Sequence, residues 1–142
     1  MKNDLRLKRL KQLKYMLENH HKLFKTVKFD IGTWCSVEEM NDKIKDNTPA
    51  NEIPKSCGTA ACALGSAALY EPFRKEGLKI HCIVNADVIY RGAEGYDAGK
   101  KFFGITLNES ENIFNPDFYM KSKVTPKDVA KKVIGLIAQY SA

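Results

Sequence analysis

The sequence predicts a mainly helical α+β single domain with a buried, alanine-rich central helix and one small β-hairpin. Three observations lead to this prediction. Residues 57–69 contain no charged side chain although 28% of the chain is charged, as expected of a helix without a solvent face. Leucines recur at helical spacing near the N-terminus, and β-branched and aromatic residues cluster between residues 78 and 90. The length of 142 residues fits one domain spanning residues 1–142.

A basic amphipathic helix is predicted over about residues 4–24. Asn3 or Asp4 is expected to cap its start. One face of this helix is apolar and is expected to enter the core: Leu10, Leu13, Leu17 and Met16. Three basic side chains are expected to point outward: Lys8, Arg9 and Lys11. His20 and His21 are interpreted as helix-end residues, because adjacent residues on a helix cannot both face one ligand.

Positive charge is concentrated in the first 28 residues, which carry nine basic and two acidic side chains, whereas the rest of the chain is nearly balanced. Attraction to phosphates or to an acidic partner is therefore centred on the first helix. The alternative is a solvated basic face on an ordinary packing helix. Gly58 and Thr59, at the expected start of the central helix, could hold an anion through backbone N–H groups. The candidate ligand-binding residues are Arg6, Lys8, Arg9, Lys11, Lys14, Gly58 and Thr59.

The central helix is expected to start with a cap from Thr59 or Ser56. Its small side chains would let neighbouring elements approach the backbone closely. Its length of about ten residues is well short of the roughly 20 that a membrane span requires, so burial in protein is expected. Residues 46–56 are polar and contain two prolines, which predicts a mobile loop leading into this helix.

The remaining elements are predicted from local signals. Trp34 is expected to anchor packing. A capping box at residues 36–39 predicts a short helix to about Lys45. One helical turn closed by glycine is expected at residues 71–77. Residues 78–84 and 88–90 are expected to form the hairpin, with a turn at residues 85–87.

Three further helices are predicted in the last third of the chain. Gly104 is expected to stop the first, which carries Phe102 and Phe103. Capping signals at residues 106–109 and 125–128 open the other two. The last helix is expected to turn five apolar residues to the core: Val129, Val133, Ile134, Ile137 and Tyr140.

Four motifs follow one another along nearly the whole chain: Phe29-Asp30-Ile31-x-x-Trp34, Cys57-Gly58-Thr59-x-x-Cys62-Ala63-Leu64-Gly65, Phe102-Phe103-Gly104 and Thr125-Pro126-x-Asp128-Val129-Ala130. In order and spacing they resemble a family of small uncharacterised proteins from bacteriophages and prophage-bearing bacteria. The resemblance implies a phage or mobile-element protein of unassigned role, and a host-interaction or anti-defence protein is the candidate.

This chain departs from the relatives at two places. The relatives have a bulky Trp or His where this chain has Ser66, and a much shorter link between the motifs that contain Trp34 and Cys57. If the bulky side chain closes a pocket in the relatives, that pocket is expected to be more open here.

An enzymatic alternative is a cysteine-dependent hydrolase. Cys57 precedes the predicted start of the central helix, where the helix dipole and free N–H groups lower a thiol pKa. His81 follows on a predicted strand, with Asn85 or Asp87 as an orienting group, in the order of papain-like hydrolases. In the simpler interpretation, His81 faces solvent and Gly58 permits the turn into the helix. The alternative catalytic residues are Cys57, His81 and Asp87.

A zinc site is not predicted, although Cys35, Cys57, Cys62, His81 and Cys82 supply enough ligands, because their spacing does not match a zinc motif. Cys62 is most simply a small buried hydrophobic residue. No secretory signal is recognised, which favours reduced thiols and a cytoplasmic location in the host cell. No metal or cofactor is expected.

The leading hypothesis is a non-enzymatic cytoplasmic protein that acts by recognition and sequestration. Its basic surface would bind a host protein with acidic groups, or an anionic nucleotide or nucleic acid. No membrane partner is expected.

Overall fold

The computed structural model describes residues 1–25, 28–29, 60–82 and 86–142. Several features named above lie outside these ranges: Cys35, the packing role of Trp34, the capping box at residues 36–39, the loop at residues 46–56, and Cys57, Gly58 and Thr59.

The described ranges contain seven α-helices and five short strands, which confirms the mainly helical α+β prediction. In chain order they are α1 (Asn3–Glu18), α2 (His20–Leu23), β1 (Lys28–Phe29), β2 (Ala60–Ala61), α3 (Ala63–Leu69), α4 (Glu71–Lys75), β3 (Lys79–Cys82), β4 (Ala86–Tyr90), β5 (Ala93–Glu94), α5 (Gly95–Phe103), α6 (Leu107–Phe114) and α7 (Pro126–Ser141). Within these ranges no helix has the length and apolarity that crossing a membrane requires.

The predicted hairpin is confirmed, and the structure adds more strand pairing. Strands β3 and β4 are antiparallel, with Lys79 opposite Ile89 and His81 opposite Asp87. Strand β5 extends this sheet, and β1 and β2 form a separate parallel pair. The prediction of a single hairpin was therefore incomplete. Two-residue strands are too short to show the alternation by which a strand is recognised in a sequence.

The central helix begins later than predicted. Helix α3 starts at Ala63 and is buried along its whole length, as expected. Its N-cap is Cys62, whose Sγ accepts a hydrogen bond from the backbone N–H of Gly65 at 3.2 Å, so the predicted caps, Thr59 and Ser56, were wrong. The preceding residues 60–61 pair instead with a strand some thirty positions earlier in the chain. Helix propensity is a local signal and does not include such a partner.

Helix α1 packs along α7, and the four residues of its predicted apolar face are buried. Lys2 is its N-cap and provides no side-chain bond, so the predicted cap by Asn3 or Asp4 was wrong. Asn3 instead donates from Nδ2 to the carbonyl oxygen of Tyr140 near the end of α7. This bond ties the start of the first helix to the end of the last.

The α5–α7 segment follows the predicted signals closely. Gly104 adopts a left-handed conformation, with φ of 66°, and ends α5. The capping boxes opened by Thr106 and Thr125 are both formed. One prediction in α7 was wrong, because Ile134 is 43% exposed whereas Leu136 is buried. Helical periodicity alone does not determine where the buried stripe of a helix ends.

Candidate anion-binding surface

Arg9 was predicted to point outward, and the structure shows the opposite. Only 5% of the residue is exposed. Its Nη1 donates to the carbonyl oxygen of Phe102 at 2.7 Å, and its Nε lies 3.4 Å from the Glu76 carboxylate. The guanidinium carbon lies 4.0 Å from the centre of the Phe102 ring, a cation–π geometry. Arg9 therefore joins α1 to α5 and to the end of α4, and its charge is not available to a ligand.

Arg6 is also held by the protein. Its Nε donates to the carbonyl oxygen of Gly104 at 2.6 Å, and its Nη1 donates to Oδ1 of Asn3 at 2.9 Å. The guanidinium lies over the ring of Tyr140, 4.4 Å from its centre. Arg6, which was predicted to bind a ligand, thus attaches α1 to the corner after α5 and to α7.

A sequence signal for the burial of Arg9 did exist. Arg9 lies four residues before Leu13 and seven before Met16, so it continues a buried stripe on α1. An arginine can occupy such a position because its planar, weakly hydrated head stacks on aromatic rings while donating several hydrogen bonds.

The opposite side of α1 carries the positive charge that remains exposed. We define the α1 outer face as Asp4, Leu7, Lys8, Lys11, Gln12 and Tyr15, which line an open groove of about 570 Å³. Lys8 and Lys11 are exposed and lie one helical turn apart. Within the described part of the chain neither lysine forms an ion pair. Lys14, by contrast, pairs with Glu18 at 2.9 Å and contributes less free charge than predicted.

Aromatic and amide groups border these two lysines. Tyr15 is 54% exposed and lies one helical turn after Lys11. It lies close to half-buried Tyr70, whose pKa is raised by burial and secondarily by Tyr15. The ring of Tyr70 packs edge-on against buried Phe73.

Gln12 is the unusual member of the α1 outer face. Its side-chain oxygen, Oε1, is buried and has no hydrogen-bond partner among the described residues. A buried acceptor without a partner destabilises a fold by about 1–3 kcal/mol. The cost is removed if the amide turns into the groove that Gln12 lines and accepts a hydrogen bond from a ligand there. The sequence offered no sign of this, because glutamine is an ordinary residue on a helix surface.

The predicted anion site at the start of the central helix is not supported. Gly58 and Thr59 lie outside the described residues, and the helix that they were expected to open begins only at Ala63. The first N–H groups of α3 are partly satisfied by Cys62. The same shift removes the helix-dipole argument for an activated thiol at Cys57.

Two of the three alternative catalytic residues, His81 and Asp87, lie on paired strands of the hairpin. Cys57 lies outside the described residues, whereas the register of β3 and β4 places His81 opposite Asp87. The Oδ1 atom of Asp87 accepts a hydrogen bond from the backbone N–H of Val88 at 2.8 Å. Cys62 is buried at the start of α3, and no group of three or more metal-binding side chains occurs among the described residues.

A buried polar pair, not foreseen from the sequence, links α2 to α3. Nε2 of His20 lies 2.9 Å from Oγ of Ser66, and both side chains are buried. The His20 ring contacts the rings of Phe24 and Phe29. Burial, and secondarily the charge of His21, lower the pKa of His20 to about 4. The small side chain of Ser66 thus contacts the His20 ring and is itself fully buried.

A second groove lies around β5 and the start of α5, and its charge is different. Four of its lining residues are acidic (Asp87, Glu94, Asp97 and Glu111) and two are lysines (Lys100 and Lys101). This excess of negative charge repels phosphates. Of the two grooves, the α1 outer face is therefore the better candidate for an anionic ligand.

Comparisons with protein-family models, curated proteins and solved structures find no match.

Proposed function

We propose that this protein is a non-enzymatic binding protein of the host-cell cytoplasm that recognises a single-stranded nucleic acid through the α1 outer face. The observation that carries the proposal is the pair of exposed lysines, Lys8 and Lys11, next to the exposed ring of Tyr15. Lysines supply the charge that attracts a phosphate backbone, and aromatic rings supply stacking surfaces for bases. By binding its ligand the protein would sequester it, which is consistent with a phage-type anti-defence role.

Two further features support a nucleic acid over an acidic host protein. The two exposed lysines of the α1 outer face, Lys8 and Lys11, lie one helix turn apart, so that they can contact successive phosphates of a strand. The aromatic side chain is exposed beside those charges, which suits a base better than a carboxylate. An acidic host protein as the ligand is the competing outcome of the test below.

The test measures binding of a fluorescent oligothymidylate of about 12 nucleotides, a length within the usual site size of single-strand binders. We expect affinity to fall steeply between about 50 and 200 mM salt. Lys8→Ala/Lys11→Ala should weaken binding and lower the slope of log affinity against log salt by about 1.4, since each lost phosphate contact removes about 0.7.

The matched control is Lys100→Ala/Lys123→Ala, which removes two charges from exposed lysines outside α1. It should leave the affinity close to that of the wild type. Equal losses from both double variants would indicate unspecific attraction to a basic protein and contradict the proposal. Failure of the wild type to bind at low salt would exclude a single-stranded ligand and leave the acidic host protein as the candidate.

The cysteine hydrolase is retained as a second candidate because the strand register places His81 opposite Asp87. An activated Cys57 should react rapidly with iodoacetamide at about pH 6, below the ordinary thiol pKa of about 8.5. Cys57→Ser should abolish that rapid reaction if the thiol is a nucleophile. The leading proposal instead expects slow labelling at this pH and unchanged oligonucleotide binding by Cys57→Ser.

A further inference from the structure

The α1 outer face holds two features that charge recognition alone does not require. The first is the exposure of the Tyr15 ring, of which more than half is open to solvent. The second is Gln12, a residue that lines the same groove and whose buried Oε1 atom has no hydrogen-bond partner among the described residues. A phosphate cannot satisfy an amide oxygen, because both groups are hydrogen-bond acceptors. The missing partner must be a donor.

A nucleobase matches both features. Its flat face stacks on an aromatic ring, and every base carries at least one N–H donor at its edge. Gln12 and Tyr15 follow the two lysines of the groove, Lys8 and Lys11, by four residues each. On a helix, residues four apart are neighbours. One nucleotide can therefore contact all four side chains.

We infer that the α1 outer face is a base-reading subsite: Tyr15 stacks on one unpaired base, the amide of Gln12 turns into the groove so that its Oε1 accepts an N–H bond from the edge of that base, and Lys8 and Lys11 hold the flanking phosphates. This inference rests on the proposed function and adds the class of ligand group that the groove selects. It requires unpaired bases, because a base within a duplex is stacked and paired on the surfaces that the subsite uses.

The test compares two strands of equal length and charge: the oligothymidylate, and a strand of abasic deoxyribose phosphates. The wild type should bind the strand with bases about tenfold more tightly, within the range measured for stacking of one base on an aromatic side chain. Equal affinity for the two strands, with the loss on Lys8→Ala/Lys11→Ala retained, would overturn the base-reading subsite and leave the proposed function intact. Absence of binding to both strands would overturn both.

Two variants of Tyr15 test whether its ring produces the preference for the strand with bases. Tyr15→Ser should reduce the preference for bases to nearly none, and Tyr15→Phe should preserve it, because the ring and not the hydroxyl carries stacking. The matched control is Phe118→Ser, since Phe118 is 50% exposed and does not line this groove. It should leave the preference unchanged. Loss of the preference in Phe118→Ser would overturn the assignment.

Gln12→Met separates a ligand role from a structural role. Methionine has a similar size and no acceptor of comparable strength, so the variant should weaken binding of the strand with bases severalfold and leave the abasic strand unaffected. Its melting temperature should not fall, because the change removes a buried acceptor that has no partner in residues 1–25, 28–29, 60–82 and 86–142. Unchanged binding of both strands would overturn the role of Gln12.

Discussion

Positively charged side chains on the two sides of helix α1 lie in opposite environments. Lys8 and Arg9 are adjacent in the chain, yet Lys8 is exposed on the outer face while Arg9 is buried against Phe102. Arg9 contributes to the stability of the fold, whereas Lys8 contributes to the positive electrostatic potential at the protein surface. A count of basic residues therefore overestimates the charge that is available to a ligand.

Environment, and not residue type alone, decides between the two uses. Lys132 on α7 donates to the carbonyl oxygens of Asn112 and Phe118 and lies 3.7 Å from the centre of the Tyr119 ring. It is a lysine with a structural role. Arg9 and Lys132 each donate to backbone carbonyl oxygens, one for Arg9 and two for Lys132, and each lies over an aromatic face. These groups replace water around the charge.

The largest expected effect comes from the buried side of α1. Arg9→Ala should lower the free energy of unfolding by about 3 kcal/mol, because it leaves the Phe102 carbonyl and the Glu76 carboxylate without their partner. Urea denaturation measures this loss. The neighbouring Lys8→Ala is the control and should change stability by less than about 0.5 kcal/mol. Similar losses in the two variants would contradict the division of α1 into two sides.

His20 and His21 are a second pair of adjacent residues with opposite environments, because His20 is buried and His21 is exposed. The pKa of His20 is lowered from 6.5 to about 4. As the pH falls below 6.5, the unfolded chain binds a proton at this position before the folded protein does, so stability decreases. The free energy of unfolding should drop by about 2 kcal/mol from about pH 7.5 to about pH 5.

The histidine prediction is checked by denaturation at several pH values. His20→Gln should remove most of this pH dependence, at the expense of stability at neutral pH. His21→Gln should keep most of it, since the charge of His21 is only the secondary cause of the lowered pKa of His20. A pH dependence that disappears in His21→Gln and persists in His20→Gln would contradict the assignment.

An intermediate effect is expected for Arg6, which is half-buried. Arg6→Ala removes the hydrogen bond to the Gly104 carbonyl and the contact with the Tyr140 ring, and should cost about 1–2 kcal/mol. Thermal denaturation should show a smaller loss than for Arg9→Ala. A loss of stability as small as that of Lys8→Ala would show that the contacts of Arg6 do not stabilise the fold, and Arg6 would again be a candidate ligand contact.

The smallest effect on stability is expected for the outer face itself. Lys8→Ala/Lys11→Ala should change the free energy of unfolding by no more than about 0.5 kcal/mol, because both lysines are exposed. The same variant should show the largest loss of oligonucleotide affinity. A fall in affinity that is accompanied by unfolding would show that the outer face is structural as well.

Much of the fold was predicted from the sequence because its determinants are local. The capping boxes at Thr106 and Thr125 satisfy N–H groups within three residues of the capping side chain. Gly104 ends α5 by adopting a conformation that other residues adopt at a cost. The lysines of the candidate surface were also predicted, since exposure on the polar side of an amphipathic helix follows from its periodicity.

The tertiary structure decided the features that depend on partners distant in the chain. The start of α3 moved to Ala63 because residues 60–61 pair with β1. Arg9 became structural because Phe102, more than ninety residues away, supplies a carbonyl and a ring. His20 found its hydrogen-bond partner in Ser66, whereas Oε1 of Gln12 has none in the part of the chain that the structure describes. The sequence determined which residues are apolar, charged or capping, whereas folding determined which polar groups lose water and what replaces it.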